Sequence, residues 1–167
     1  MDKIERMQHV YEALQKTRFP QMPSFAHPSL KHRGGLLQHS LNFWLQLESL
    51  TEKMKLEWSH PSSPFVIAML HHLCEMEQYN YNPDYQCWEE TGSIRGHGSR
   101  SLEIATELGI ELTEEEQMCI LYHMGDFVES TLWEFYADAA RAYPNVLWTH
   151  TADLMTNNYY GGLTHEK

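Results

Sequence analysis

The chain is organised around the stretch Phe65-Val-Ile-Ala-Met-Leu-His-His-Leu-Cys-Glu-Met76. Its apolar first half predicts a buried helix, which ends in two adjacent histidines, His71 and His72. Glu75 follows four residues after the first and three after the second, so the three side chains can meet over one site. Buried imidazoles need polar partners, which makes this cluster a candidate site. The alternative is one histidine in the core beside one on the surface.

Outside this stretch, hydrophobic periodicity and capping signals at Asp2 and at Thr113–Glu116 predict further helices and almost no strand. Residues 77–96 interleave Tyr and Trp with Asn, Pro, Asp and Gly, which predicts an irregular aromatic-rich loop or a short hairpin at the mouth of a site. We predict one all-α domain over residues 1–167 with six or seven helices and a tail that frays from about residue 159. The other predicted helices cover approximately 2–17, 35–54, 96–108, 113–124, 130–142 and 144–158.

The composition is that of a globular protein with an acidic surface. The formal net charge of −11 argues against binding to a nucleic-acid backbone, which requires a basic surface. It does not exclude a small phosphorylated substrate, because bound metal ions can reverse the local field. No stretch predicts a membrane span or a signal peptide. Three widely spaced cysteines predict free thiols, and we expect a reducing, cytoplasmic location.

The chain contains eleven histidines, and several of them fall at or near the ends of predicted helices. If those helix ends converge, five imidazoles and one carboxylate meet at a single centre. This donor set suits a divalent transition metal, Fe, Mn, Co, Ni or Zn, whereas Mg and Ca prefer oxygen ligands. No cysteine falls among these positions, which argues against a closed structural zinc site. The candidate metal ligands are His39, His71, His72, His97, His123 and Asp153.

Five short motifs follow one another along the chain. They are Gly34-Gly-Leu-Leu-Gln-His39-Ser, Met69-Leu-His-His-Leu-Cys74, Gly96-His97-Gly98, His123-Met-Gly125 and Thr151-Ala-Asp153. In order and rough spacing, from about residue 32 to residue 157, the chain resembles the HD-domain metal-dependent phosphohydrolases. The resemblance implies an HD-type helical bundle in which His39, His71, residue 72 and Asp153 hold a first metal. It also implies that His97 and His123 occupy the positions that hold a second metal in binuclear members.

The chain departs from this family at residue 72. The central pair of the family is His-Asp, whereas this chain has His71-His72. In binuclear members that aspartate bridges both metals with its two oxygens. A neutral histidine binds one metal through one nitrogen and adds no negative charge. Three interpretations of His72 therefore stay open: a metal ligand, a pocket residue, or the sign of lost chemistry.

Glu75 is the candidate catalytic residue. Some HD nucleotidases resemble this chain in having glutamate four residues after the first histidine of the pair, where it acts on the attacking water or the leaving group. A carboxylate beside metal-activated water is chemically suited to that proton transfer. The alternatives are a solvated surface glutamate, the usual state of this residue type, and a metal ligand that replaces the missing aspartate.

The cationic candidates for binding phosphate are Arg33, Arg95 and Arg100, together with Lys31. Arginine presents a fork of donors that matches phosphate oxygens. Arg95 and Arg100 flank His97, and the resembled family often has a basic residue near the position of Arg100. Either arginine could equally be a surface ion-pair partner in so acidic a chain.

The resemblance implies a metal-dependent phosphohydrolase that holds one or two metals per chain and acts on a nucleotide or another small phosphate ester. We expect neither nucleic acid nor a membrane as a partner. Two alternatives arise from the same resemblance. One is a degenerate HD-fold protein that binds or regulates without turnover, and the other is an HD-type di-iron oxygenase.

Overall fold

The computed structural model describes residues 1–92, 96–125 and 130–160, with side chains up to residue 158. This part of the chain is an all-α bundle, as the sequence predicts, with seven α-helices of two turns or more, one single-turn α-helix, short 3₁₀ turns and one hairpin. No helix in it is long and apolar enough to span a membrane. The elements are α1 (Lys3–Gln15), α2 (Gly35–Met54), α3 (Ser63–Leu70), the single-turn α4 (Glu75–Gln78), β1 (Tyr79–Asn82), β2 (Cys87–Glu90), α5 (His97–Glu107), α6 (Glu114–Leu121), α7 (Trp133–Ala142) and α8 (Asn145–Met155).

The end of the chain continues beyond α8. Residues 156–160 form a π-helical turn that packs against α2 and α8. The tail that is predicted to fray lies, from residue 161, outside the described residues.

Two capping boxes start helices at the predicted positions. The Asp2 side chain accepts a hydrogen bond from the Glu5 backbone N–H, and the Glu5 side chain accepts one from the Asp2 N–H. Thr113 and Glu116 exchange the equivalent bonds at the start of α6. Each box satisfies backbone donors that a helix start otherwise leaves without partners. These local bonds fix where α1 and α6 begin.

α2 is the longest helix and packs against both α3 and α8. Its buried face carries Phe43 and Leu47, and it also carries His39. The helix begins at Gly35, where a side chain has no room, because a Cβ atom would lie 1.8 Å from the carbonyl oxygen of Leu30. This close approach holds the start of α2, and hence His39, against the preceding loop.

α3 is buried along its whole length and ends at Leu70, just before the histidine pair. A tight turn follows, in which the Glu75 N–H donates to the carbonyl oxygen of His72, three residues back. With three residues per turn, side chains at positions i and i+3 lie directly above one another. The turn therefore brings His72 and Glu75 side by side.

The aromatic-rich segment forms an antiparallel hairpin, the second of the two structures that its sequence allows. Tyr79 lies opposite Glu90, and Tyr81 lies opposite Trp88. Because side chains alternate between the faces of a strand, these four share one face of the hairpin.

Candidate metal centre

Four buried side chains converge on one point of the bundle. Each offers one ligand atom, and the four atoms all lie within 4.8 Å of one another. α2 contributes His39, the end of α3 and the following turn contribute His71 and His72, and α8 contributes Asp153. Three imidazoles and one carboxylate could hold a metal ion, and they match a transition metal in number and kind of donor.

His39 and His71 face each other through their Nε2 atoms, which are 3.1 Å apart. The His71 Nδ1 atom lies 2.9 Å from the carbonyl oxygen of Ala68, which can only accept. The proton of the neutral ring is therefore on Nδ1, and Nε2 presents a bare lone pair. The Asp153 Oδ1 atom lies 3.9 Å from the His39 Nε2 atom and 4.0 Å from the His71 Nε2 atom. A single cation between these three atoms would satisfy all of them.

Burial keeps the histidines of the centre neutral. It lowers the pKa of His39 to about 4. It also lowers the pKa values of His71 and His72 well below the ordinary histidine value, and neighbouring imidazoles add to the effect. Burial raises the pKa of Asp153 to about 7. At neutral pH the imidazoles can therefore donate lone pairs, and a bound cation would favour the charged carboxylate.

A buried nitrogen of His72 bears on whether a metal ion fits this centre. Its Nδ1 atom is buried and has no hydrogen-bond partner in the described part of the chain. The Glu75 Oε1 atom lies 3.2 Å from it but is not aligned for a hydrogen bond. A buried polar atom without a partner costs about 1–3 kcal/mol. Together with the three-histidine and carboxylate donor set, this unpaired nitrogen fits a bound transition metal.

His123 lies beside the four-residue group. Its ring centroid is 5.1 Å from that of His71 and 4.9 Å from that of His72. Its Nδ1 atom donates to the Ile120 carbonyl oxygen over 2.7 Å, which leaves Nε2 bare. That Nε2 atom is buried and has no partner among the described residues. Burial lowers the His123 pKa to about 4, so a fourth neutral imidazole borders the centre.

His97 is half-buried at the start of α5, and its Nδ1 atom lies 3.3 Å from the Cys74 Sγ atom. Burial raises the pKa of Cys74 to about 12, so this sulfur is a thiol at neutral pH. Within the described ranges, neither His97 nor His123 joins the group of four ligand atoms. A second metal at these two histidines stays a prediction.

Two contacts that position the centre have no signal in the sequence. The buried Ser101 Oγ atom donates to the His71 carbonyl oxygen and accepts from the Cys74 N–H, which ties α5 to the turn after α3. The His150 Nδ1 atom donates to the His123 carbonyl oxygen over 2.8 Å. A lone serine or histidine on a helix does not show which distant carbonyl it will reach.

Glu75 is only 2% exposed, so it is not a solvated surface residue. Its Oε2 atom accepts a hydrogen bond from the Phe25 N–H over 3.2 Å, and its Oε1 atom faces His72. Burial raises the Glu75 pKa, against the opposing effects of His39 and of hydrogen bonds from Ser24 and Phe25. A buried carboxyl group with a raised pKa at the edge of the centre is suited to proton transfer.

The three arginines that are candidates for binding phosphate have different surroundings. Arg100 forms ion pairs with Glu77 and with two glutamates of its own helix. The structure thus favours the alternative interpretation of this arginine, an ion-pair partner in an acidic chain. Arg33 is exposed on the loop before α2. Arg95 lies outside the described residues. Substrate binding by these arginines stays a prediction.

No protein-family model, curated protein or solved structure is significantly similar to this chain. A function for it must therefore be inferred from the geometry of the centre and from the order of its motifs.

Proposed function

We propose that this chain is a metal-dependent phosphohydrolase that acts on a nucleotide or another small phosphate ester. The observation that carries the proposal is the convergence of His39, His71, His72 and Asp153, whose ligand atoms lie within 4.8 Å of one another. These residues belong to motifs that, in order and spacing, resemble those of the HD-domain phosphohydrolases. The all-α bundle also supports the proposal, because it brings residues of distant motifs together. A shared fold alone does not imply a shared function.

His39, His71 and Asp153 would hold the metal, with His72 as the fourth ligand. When bound, a divalent transition metal supplies Lewis acidity, which polarises a phosphoryl oxygen and makes water more acidic. Three of the four protein donors are neutral, so the loaded centre keeps a positive charge. A local positive charge would attract a phosphate ester to a chain whose formal net charge is −11.

Glu75 would transfer the proton of the reaction. Its Oε1 atom lies 3.2 Å from the His72 Nδ1 atom, and its Oε2 atom is held by the Phe25 N–H. The carboxylate would take a proton from water as the water oxygen forms a bond to phosphorus. The ester P–O bond breaks, and Glu75 then returns the proton to the leaving oxygen.

The histidine at position 72 favours a second candidate, a protein that binds a phosphate ester without turnover. A neutral imidazole cannot bridge two metal ions as a carboxylate does, because only one of its nitrogens has a free lone pair. His97 and His123 also stay outside the four-residue group in the described part of the chain. The two candidates share the metal centre and differ only in turnover.

Elemental analysis and a phosphatase panel test the proposal together. Protein purified without added metal is analysed and then assayed with p-nitrophenyl phosphate, its bis ester and the nucleoside 5′-monophosphates. We expect a stoichiometric transition metal and hydrolysis that a chelator abolishes. Bound metal with no hydrolysis of any ester would select the binding protein. Iron content together with oxygen consumption would instead select an oxygenase, and a metal-free, inactive chain would contradict the proposal.

A further inference from the structure

A cleft of about 500 Å³ opens between the loop before α2 and the β1–β2 hairpin, and we name it the loop–hairpin cleft. Its two walls differ in chemistry, because the loop wall is cationic and the hairpin wall is aromatic. Their side chains include Phe25, Lys31, Arg33, Tyr81, Trp88 and Glu90.

The loop wall carries Lys31, His32 and Arg33 in succession, and all three are exposed. Such a basic run stands out in a chain with a formal net charge of −11. The Lys31 Nζ atom lies 4.8 Å from the centroid of the Phe25 ring, which places the ammonium group against the cleft. Arg33 makes no ion pair within the described ranges, whereas three other arginines there do. Its guanidinium donors are therefore available to an anionic ligand.

The hairpin wall offers flat apolar surface beside a hydrogen-bond acceptor. Tyr81 and Trp88 are cross-strand partners, and their ring centroids lie 5.4 Å apart in an edge-to-face arrangement. Trp88 is half-buried and Tyr81 is 51% exposed, so ring surface is available for stacking. The Glu90 carboxylate lies on the same face and can only accept hydrogen bonds. This wall suits a flat ring that carries amino or hydroxyl donors.

One residue that lines the loop–hairpin cleft is hydrogen-bonded to the candidate catalytic carboxyl group. The rings of Phe25 and Tyr79 stack with centroids 4.3 Å apart, and both residues line the cleft. The Phe25 N–H donates to one oxygen of Glu75, whose other oxygen faces His72. The Glu75 carboxyl group thus links a residue of the cleft lining to a residue of the metal centre.

We propose that the loop–hairpin cleft binds a nucleoside monophosphate by its phosphate and its base together. This inference rests on the proposed function, because a phosphate ester is the group on which the metal centre would act. Arg33 and Lys31 pair with phosphate oxygens from the loop side. The base stacks on Trp88 and Tyr81. Glu90 accepts a hydrogen bond from an amino group of the base or a hydroxyl group of the sugar.

The test measures binding rather than turnover. The probe is the methylene phosphonate analogue of AMP, which has no ester bond to hydrolyse, titrated into the full chain as purified in a calorimeter. We expect Arg33→Gln and Trp88→Leu each to weaken binding roughly tenfold. The controls are Lys53→Gln, which removes an exposed cation on α2, and Tyr85→Leu, which removes a 78% exposed aromatic outside the cleft lining. Both controls should bind like the parent.

Ligand fragments provide a second measurement. Adenosine and methylphosphonate each carry one half of the probe, and each should bind at least tenfold more weakly than the whole, roughly the effect of one good phosphate or stacking contact. Circular dichroism checks that each variant is folded, and Tyr81→Leu replaces Trp88→Leu if the latter unfolds. Undiminished binding in either cleft variant, an equal loss in a control, or no binding by the parent overturns the inference.

Hydrolysis of p-nitrophenyl phosphate by the parent separates this inference from the proposed function. A parent that hydrolyses this ester but does not bind the analogue disproves the nucleotide cleft alone. A parent that binds the analogue through Arg33 and Trp88 but hydrolyses no ester disproves the phosphohydrolase and leaves the cleft as a nucleotide site.

Discussion

The Nε2 atoms of His39 and His71 lie 3.1 Å apart, although one residue is on α2 and the other follows α3. Because the His71 Nδ1 atom donates to Ala68, its Nε2 lone pair has no proton of its own. Two lone pairs at this distance repel unless a proton or a metal ion lies between them. A shared proton would satisfy the two imidazoles. A metal ion would also satisfy Asp153, whose Oδ1 atom lies 3.9 Å and 4.0 Å from the two nitrogens.

Removal of His71 should empty the centre. A ligand that binds only the folded chain raises its unfolding temperature, so Zn²⁺ or Co²⁺ should stabilise the metal-depleted parent. In His71→Ala the same additions should produce no shift, because one of four donors is gone. His9→Ala, which removes an exposed histidine of α1, should respond like the parent. An unchanged metal-induced shift in His71→Ala would show that the ion binds elsewhere.

The buried histidines should make the metal-free chain sensitive to acid. In the folded chain the pKa values of His39 and His123 are lowered from 6.5 to about 4. Between these two pH values the unfolded chain binds more protons than the folded chain, so stability is lost as the pH falls. His71 and His72 act in the same direction, because burial lowers their pKa values too.

Two carboxyl groups oppose this acid effect without cancelling it. Burial raises the pKa of Asp153 to about 7 and also raises that of Glu75, so both favour the folded chain at low pH. On unfolding in this pH range, the four histidines take up more protons than the two carboxyl groups release. The urea midpoint of chelator-treated protein should therefore decrease between about pH 6.5 and pH 4.5. The decrease should be smaller in His123→Gln and unchanged in His9→Gln, and a midpoint independent of pH would contradict this account.

Glu75→Gln should remove catalysis and leave the metal in place. Glutamine keeps the size of the side chain and can still accept from the Phe25 N–H, but it cannot take up a proton at neutral pH. We expect turnover to fall about 10²- to 10⁴-fold, the usual contribution of a general acid–base group. Glu52→Gln, which changes an exposed carboxylate of α2, is the control and should retain activity. If Glu75→Gln also loses metal, the residue is a ligand.

Arg6 should matter for stability far more than a surface cation does. It binds both carboxylate oxygens of Glu116 over 2.6 Å, and the Glu116 side chain is fully buried. Arg6→Ala leaves a buried carboxylate without its partner, which should cost about 3 kcal/mol of unfolding free energy. Lys3→Ala, which breaks an exposed pair with Glu48, should cost less than about 1 kcal/mol. Equal losses in urea unfolding would show that burial is not the deciding factor.

The features that the sequence predicts correctly depend on nearby residues. The capping boxes at Asp2 and Thr113 and the apolar periodicity of α2 involve partners within four residues, so their pattern is visible in the sequence. The early end of α3 at Leu70 is less visible, because no glycine or proline marks a stop between Leu70 and Glu75. In the structure a tight turn replaces the expected continuation of the helix, and it places the side chains of His72 and Glu75 side by side.

The centre itself was predicted only in outline. The motif order indicates which residues converge, and the structure brings His39, His71, His72 and Asp153 together. Contacts across long separations have no local pattern, and the Phe25–Glu75 hydrogen bond joins residues 50 positions apart. Charge on a helix is also ambiguous: Arg100 fits phosphate or glutamate equally well until its neighbours are known.

His72→Asp tests the residue that departs from the resembled family. An aspartate beside His71 adds a carboxylate that can bridge two metals. His123, whose ring centroid lies 4.9 Å from that of His72, is close enough to supply a further nitrogen. In the metal-free chain, however, the new carboxylate faces Glu75, whose Oε1 atom lies 3.2 Å from the present imidazole. Two buried carboxyl groups at this distance repel when charged.

We therefore expect His72→Asp to be less stable than the parent in chelator, to gain more stability when metal is added, and to bind more metal per chain. Hydrolysis of p-nitrophenyl phosphate should be at least as fast as in the parent, because the added carboxylate is the residue that the resembled family has at this position. Thermal unfolding with and without metal, metal counting and turnover are measured on both proteins in parallel. His72→Asn separates charge from size, since it is equally short but cannot repel Glu75 as an anion. If the aspartate variant loses both metal and activity while the asparagine variant keeps its metal, the pocket is built around a neutral side chain, and the HD analogy does not hold at this position.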